Sequence, residues 1–188
     1  CAQPCRWKYY LMEEKRPGQY MPVYENDKGS FIFNSKDLCM IRHIDKLYAA
    51  GVKSLKIEGR VKSDYYVATV IRAYRRAIDD FYAGKPFDEE LLKEVCKVSH
   101  REYSEGFYFS QPEQIYTYGS YIRSCELIGT VKEYDEENKV AVVEQRNRFY
   151  KGDEVEFLPP TGDYIKFRIE DMEDADGNPI DVAPHPQM

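Results

Sequence analysis

One stretch constrains the fold more than any other. From Tyr66 to Phe81 the residues Tyr66, Val67, Val70, Ile71, Tyr74, Ala77, Ile78 and Phe81 recur at helical spacing and make one continuous apolar face. Arg72, Arg75, Arg76 and Asp79 fall opposite, on the side that reads as solvated. Ser63 or Asp64 supplies an N-cap, and Gly84 followed by Pro86 stops the helix. A helix with one such face needs a second layer to cover it, so the flanking segments decide the architecture.

Upstream, residues 6–12 read as an aromatic strand, Asn26 to Gly29 as a turn, and Ser30 to Phe33 as a second short strand. Asn34 or Ser35 can cap a helix with Leu38, Ile41, Ile44, Leu47 and Tyr48 on one stripe, ended by Gly51. Val52 to Ile57 reads as a strand. Downstream, Asp88 can cap a further helix reaching about Val98. His100 to Tyr121 is aromatic and loop-like. From Cys125 on, short alternating runs are separated by turn clusters at Asp135–Asn138, Arg148–Asp153, Pro159–Asp163 and Asp174–Pro179.

The order is therefore β-β-α-β-α-α, then a linker, then strands. We expect an α/β part followed by an all-β part: the C-terminal portion of a (βα)8 TIM-like barrel, then a small β-barrel domain of about 65 residues. A complete eightfold barrel takes about 200 residues or more, so only its closing part fits here. The expected domains are 1–85 (barrel), 86–121 (helix and aromatic linker) and 122–188 (small β-barrel). Cys1 stands inside what reads as a motif with no initiator Met before it, so a piece of a longer protein is expected.

Charge is uneven. The net of −6 argues against a general nucleic-acid binder, yet residues 1–76 carry 15 Lys+Arg against 8 Asp+Glu, and residues 121–188 carry 8 against 16. One basic side could meet phosphate. No run approaches the ~18 apolar residues that span a membrane. Five cysteines, an odd number without dense spacing, fit a reduced cytoplasmic setting rather than a disulfide scaffold.

Chemistry concentrates in Ser54-Leu55-Lys56-Ile57-Glu58-Gly59-Arg60. Strand alternation would send Leu55 and Ile57 one way, and Lys56 and Glu58 the other. In a barrel the charged pair would face inward at the C-terminal rim, where such folds keep their active sites. The alternative is an exposed edge strand with a solvated pair. Gly59 lets backbone approach a ligand closely, and Arg60 suits a carboxylate or phosphate. Cys1 and Cys5 form a C-x-x-x-C pair, with Cys39 a third thiol. Such spacing can ligate an iron–sulfur cluster or zinc, although three thiols fall short of the usual four ligands. Ser99-His100 is no dyad by adjacency alone. His43 reads as a surface residue, His185 as a tail residue, and Asp174–Asn178 as a turn.

Several stretches together resemble a known family. They are Cys1-Ala2-Gln3-Pro4-Cys5-Arg6-Trp7-Lys8-Tyr9, Glu14-Lys15-Arg16-Pro17-Gly18, Asn34-Ser35-Lys36-Asp37-Leu38 and Ser54 to Arg60 with Lys62-Ser63 and Tyr65-Tyr66. Tyr74-Arg75-Arg76-Ala77-Ile78, His100-Arg101-Glu102-Tyr103 and Glu105-Gly106-Phe107 continue the likeness. The chain resembles the collagenase-like peptidase family U-32, and within it the prephenate-dependent tRNA uridine hydroxylase branch. Residues 125–183, with Asn147, Phe149, Gly152 and Asp153, look like that family's C-terminal β-barrel.

The resemblance implies a [4Fe-4S] cluster in the full-length protein, with Cys1 and Cys5 as the best candidate ligands here and Cys39 as a third. It implies tRNA as partner and prephenate as co-substrate in 5-hydroxylation of the wobble uridine. Lys56 and Glu58 are then the catalytic candidates, and Arg60 and Lys62 the substrate-binding ones. Two other readings stand beside it: a collagenase-like protease acting on peptides, and a non-catalytic binding piece, with the isolated chain inactive. Open strand edges also raise the prospect of a homodimer.

Overall fold

The computed structural model describes residues 10–27, 29–31, 35–112, 115 and 121–184. In chain order the elements are β1 (Tyr10–Leu11), β2 (Met21–Pro22), β3 (Tyr24–Asn26), β4 (Gly29–Phe31), β5 (Asp37–Leu38), α1 (Ile44–Ala49), α2 (Asp64–Tyr82) and α3 (Glu89–Val95). They continue with β6 (Tyr103–Ser104), β7 (Gly129–Asp135), β8 (Val140–Gln145), β9 (Phe149–Tyr150), β10 (Glu154–Phe157), β11 (Ile165–Arg168) and β12 (Val182–Ala183). The chain divides into two compact units, Cys1–Gly51 with Ser99–Ile122, and Val52–Val98 with Arg123–Met188. The coarse expectation stands: helices with short strands come first, and strands alone follow. Among the described residues, all six sheets are two-stranded.

In the first unit, β1 pairs with β2, and β3 with β4 across the Asn26–Gly29 turn. The turn lies where its residues predict. The strand leading into it is Tyr24–Asn26, however, and of the aromatic run 6–12 only Tyr10 and Leu11 are described as strand. The expected helix from Asn34 or Ser35 is corrected more deeply. Asp37 and Leu38 instead form a parallel pair with Tyr103 and Ser104. The Asp37 and Cys39 N–H groups donate to the Glu102 and Ser104 carbonyls at 2.9 Å, so this backbone is committed to a ladder before any helix can start.

The helical turns begin at Ile41, first as a tight 3-10 turn and then as α1. Ile41, Ile44 and Leu47 are buried as the stripe predicts, while Leu38 and Tyr48 are exposed. Gly51 ends the helix with φ +81°, a conformation glycine adopts without strain. The aromatic stretch from His100 contains the short strand β6, and His100 and Ile122 exchange both backbone hydrogen bonds as an isolated bridge.

In the second unit, the caps read from sequence are in place. The Ser63 hydroxyl accepts the Tyr66 N–H at 3.2 Å, and the Asp88 carboxylate accepts the Glu90 N–H at 3.0 Å. The helices α2 and α3 pack together and bury Val70, Ala73 and Ala77 with Leu91, Val95 and Val98. Each large aliphatic so buried contributes about 1.5–3 kcal/mol before entropy is counted. Arg72 departs from the expectation of a solvated face, because its side chain is only 12% exposed and pairs with the buried Glu94.

The β-rich part pairs β7 with β8, β10 with β11 and β9 with β12, all antiparallel. A bulge interrupts β7 between Val131 and Glu133, and the Asp135 carboxylate closes the following turn by accepting the Glu137 and Asn138 N–H groups. Asn147, Gly152 and Asp153 have local structural work here. Asn147 donates to the Leu127 carbonyl, Gly152 takes φ +91° while its N–H reaches Ile169, and Asp153 accepts the Tyr150 N–H. Among the described residues, no helix is long and apolar enough to cross a membrane.

Candidate functional site

Residues 52–62 lead into the N-terminus of α2 without forming helix or strand. The strand expected at Val52–Ile57 is not formed: no described strand lies alongside it, and backbone without a ladder is not a strand. Lys56, Glu58 and Arg60 are exposed, and Lys62 is half-buried. The inward-facing arrangement of Lys56 and Glu58 is thus not built by the described residues themselves. What they do build is a compact turn. The Glu58 carboxylate accepts the Arg60 N–H at 3.1 Å, and the Lys62 N–H donates to the Gly59 carbonyl at 3.0 Å. This lifts Val61 into solvent at 89% exposure, and it sets the Lys62 ammonium 5.0 Å from the centre of the Tyr66 ring.

Gly59 is required for a different reason from the one its sequence suggests. A Cβ there would stand 2.7 Å from Val67 Cγ2, so the close approach is to α2 rather than to a ligand. The segment 52–64 carries Lys53, Lys56, Arg60 and Lys62 against Glu58 and Asp64. Four cations therefore gather on a short stretch of backbone that ends at a helix N-terminus. Chemically, the arrangement suits anionic groups.

One turn further along α2 lies a polar cluster that residue types in sequence did not reveal. Burial pushes the Tyr65 phenol up to about 12, with the Cys125 thiol adding to the effect. Tyr164 is likewise raised, first by burial and then by Glu94. Thr69 is fully buried beside both phenols, and its hydroxyl makes no hydrogen bond of ordinary geometry. The only sequence trace of this cluster is the tyrosine pair Tyr65-Tyr66 at the start of the helix.

The cysteines are more dispersed. Cys1 and Cys5 lie outside the described residues. Cys39 is a half-buried thiol just past β5. Among the described residues, no three or more His, Cys, Asp or Glu side chains gather as a metal site. Cys39 is accordingly not part of such a group among the described residues.

His100 is 4% exposed, stacks on Tyr103 at 4.3 Å, and has Nδ1 2.5 Å from the Arg101 carbonyl. It fits a structural place in the first unit. His43, expected at the surface, is half-buried: its ring meets Phe109 edge-on at 4.7 Å, and Nε2 lies 3.7 Å from Glu105. Asp174 closes a turn by accepting the Asp176 and Asn178 N–H groups, and hydrogen bonding from Asn178 holds its carboxyl below the usual range. His185 lies outside the described residues.

Comparison with known proteins places these features in a family. The model for peptidase family U32 matches residues 1–117, and that for the family's C-terminal domain matches residues 123–188. The chain belongs to peptidase family U32.

Among its relatives, tRNA hydroxylation protein P of Escherichia coli is 43% identical over 183 residues, covering 94% of this chain and 40% of that protein. tRNA hydroxylation protein P1 of Bacillus subtilis is 37% identical over 99% of this chain and 45% of its own length. A collagenase of Porphyromonas gingivalis is 32% identical over 92% of this chain and 42% of its own. The chain thus spans about two fifths of the length of these U32 proteins. The crystal structure of the C-terminal domain of a Geobacillus thermoleovorans U32 peptidase is 46% identical, covering 34% of this chain and 77% of that domain, with a TM-score of 0.32.

Proposed function

We propose that this chain is the C-terminal part of a tRNA-modifying enzyme that hydroxylates the wobble uridine at its 5-position, with prephenate as co-substrate. The observation that carries the reading is the cationic turn Lys56–Lys62. It places Arg60 and Lys62 beside the start of α2, in a chain whose relatives include proteins named for tRNA hydroxylation. Arg60 and Lys62 would hold anionic groups: the tRNA phosphates, or the two carboxylates of prephenate. Lys56 would add positive charge at the reacting group, and Glu58, now fixing the Arg60 N–H, would serve as proton acceptor.

In the longer protein these residues would line the rim of a (βα)8-like barrel that residues 1–85 help to close, with 122–188 as a small β-barrel. A [4Fe-4S] cluster held by Cys1 and Cys5, with Cys39 as a third candidate, would supply redox chemistry there. A cytoplasmic setting follows from the substrate, and a homodimer remains part of the proposal.

The test uses the full-length gene product. Expressed in a bacterial strain that lacks 5-hydroxylated wobble uridine, it should restore the modified nucleoside by mass spectrometry of digested tRNA, and Lys56→Met or Glu58→Gln should abolish the restoration. Unmodified tRNA together with specific peptide cleavage by the purified protein would instead favour the protease reading that the collagenase relatives raise.

A further inference from the structure

The loop between β10 and β11 grips the helices of the second unit. We infer that Gly162, Asp163 and Tyr164 form an internal latch, fastening the C-terminal β region to α2 and α3 so that residues 52–98 and 123–184 open as one cooperative body. The two family models part between residues 117 and 123, yet this contact runs across that divide.

Two cations hold the Tyr164 ring: the Lys97 ammonium lies 3.7 Å from its centre, and the Arg72 guanidinium 4.9 Å from it. Arg72 is the hub. One of its terminal nitrogens, Nη1, donates to Glu94 on α3, and the other, Nη2, donates to the Gly162 carbonyl. Lys97 also pairs with Glu156 on β10. At the other end of the contact, the Ser124 hydroxyl donates to the Cys96 carbonyl at 3.2 Å, and the Cys125 N–H donates to the Lys97 carbonyl at 3.3 Å.

These contacts carry different weight. Arg76 reaches Asp163 at 2.9 Å, but the two side chains are 43% and 85% exposed, and pairs of that kind contribute little. In the Arg72–Glu94 pair Glu94 is buried and Arg72 nearly so, so releasing Arg72 leaves an uncompensated buried carboxylate. The Tyr164 hydroxyl is buried and makes no hydrogen bond of ordinary geometry, so the ring rather than the oxygen carries the latch. Tyr164→Phe therefore preserves it and Tyr164→Ala removes it.

Native-state hydrogen exchange on the chain as it stands tests the latch. In the wild type, the slowest amides of α2 and of β10–β11 should exchange through one common opening, with the same denaturant dependence. Tyr164→Ala should separate the two sets and speed β10–β11 exchange by roughly tenfold or more, while Tyr164→Phe stays within about twofold of wild type. Separate openings in the wild-type protein would overturn the inference, as would a common opening that survives Tyr164→Ala. The wild-type measurement decides even if Tyr164→Ala does not fold.

Discussion

The helix α2 and residues 52–62, which precede its Ser63 cap, are neighbours in sequence and opposites in structure. In α2 the first N–H groups are capped by Ser63, one face is buried against α3, and Arg72 on another face is drawn into contact with Glu94 and Gly162. In 52–62 the backbone lies outside any helix or ladder, Val61 stands in solvent, and Lys53, Lys56, Glu58 and Arg60 are exposed. The same unit holds one segment whose caps and Arg72 are met from within and another in which Lys53, Lys56 and Arg60 are exposed. The difference teaches where to look for function: packing fixes the helix, and the fixed helix presents the loop.

The contrast breaks most readily in the core. Leu91→Ala should cost about 2–5 kcal/mol in urea unfolding, because Leu91 is almost fully buried between the helices. Leu55→Ala, in the exposed segment, should stay within about 0.5 kcal/mol. Equal effects would erase the distinction.

The joint between the two regions comes next. Gly59→Ala puts a methyl group against Val67, whose branched side chain is stiff, and should cost about 1–3 kcal/mol. Shortening the neighbour in Gly59→Ala/Val67→Ala should return part of that loss, and an additive double variant would show that the close approach is not the cause. Ser63→Ala should then cost about 1 kcal/mol by releasing the Tyr66 N–H, read as a shift in the thermal midpoint.

The smallest effect concerns pH. The Tyr65 phenol is raised in the folded protein, so the folded state keeps its proton longer than the unfolded chain does. Its contribution to stability is complete below about pH 10 and is lost as pH rises through about 12, with Tyr164 acting in the same direction. Tyr65→Phe should flatten that alkaline decline, and an unchanged slope would assign the decline to other groups.

What the sequence makes legible follows from how far each determinant reaches. The helices α2 and α3 are readable because Ser63, Asp88, the helical period and Gly84 all act within a turn or two. The segment 35–50 is half readable: Ile41, Ile44 and Leu47 do face the core, but the ladder that claims Asp37 comes from residues 102–104, which no local pattern announces. Alternation suggests a strand at 52–57, yet it cannot supply the neighbouring strand that would make it one. The burial of Arg72 depends on Gly162 and Tyr164, about 90 positions away, so a helical wheel places it on the wrong side. At the candidate site the cations are visible by type and spacing. The role of Gly59 is not, because its constraint is the Val67 side chain above it.

The central proposal is that Arg60 and Lys62 would hold anionic groups, and its tRNA arm assigns them to the phosphates of the RNA. Binding of unmodified tRNA to this chain, measured across a series of salt concentrations for wild type and Arg60→Gln/Lys62→Gln, tests it most directly. Removing one cation from a phosphate should lower the slope of log affinity against log salt by about 0.7–1, so the double variant should show a slope smaller by about 1.4–2 together with weaker binding. Superimposable salt dependences for the two proteins would contradict the account.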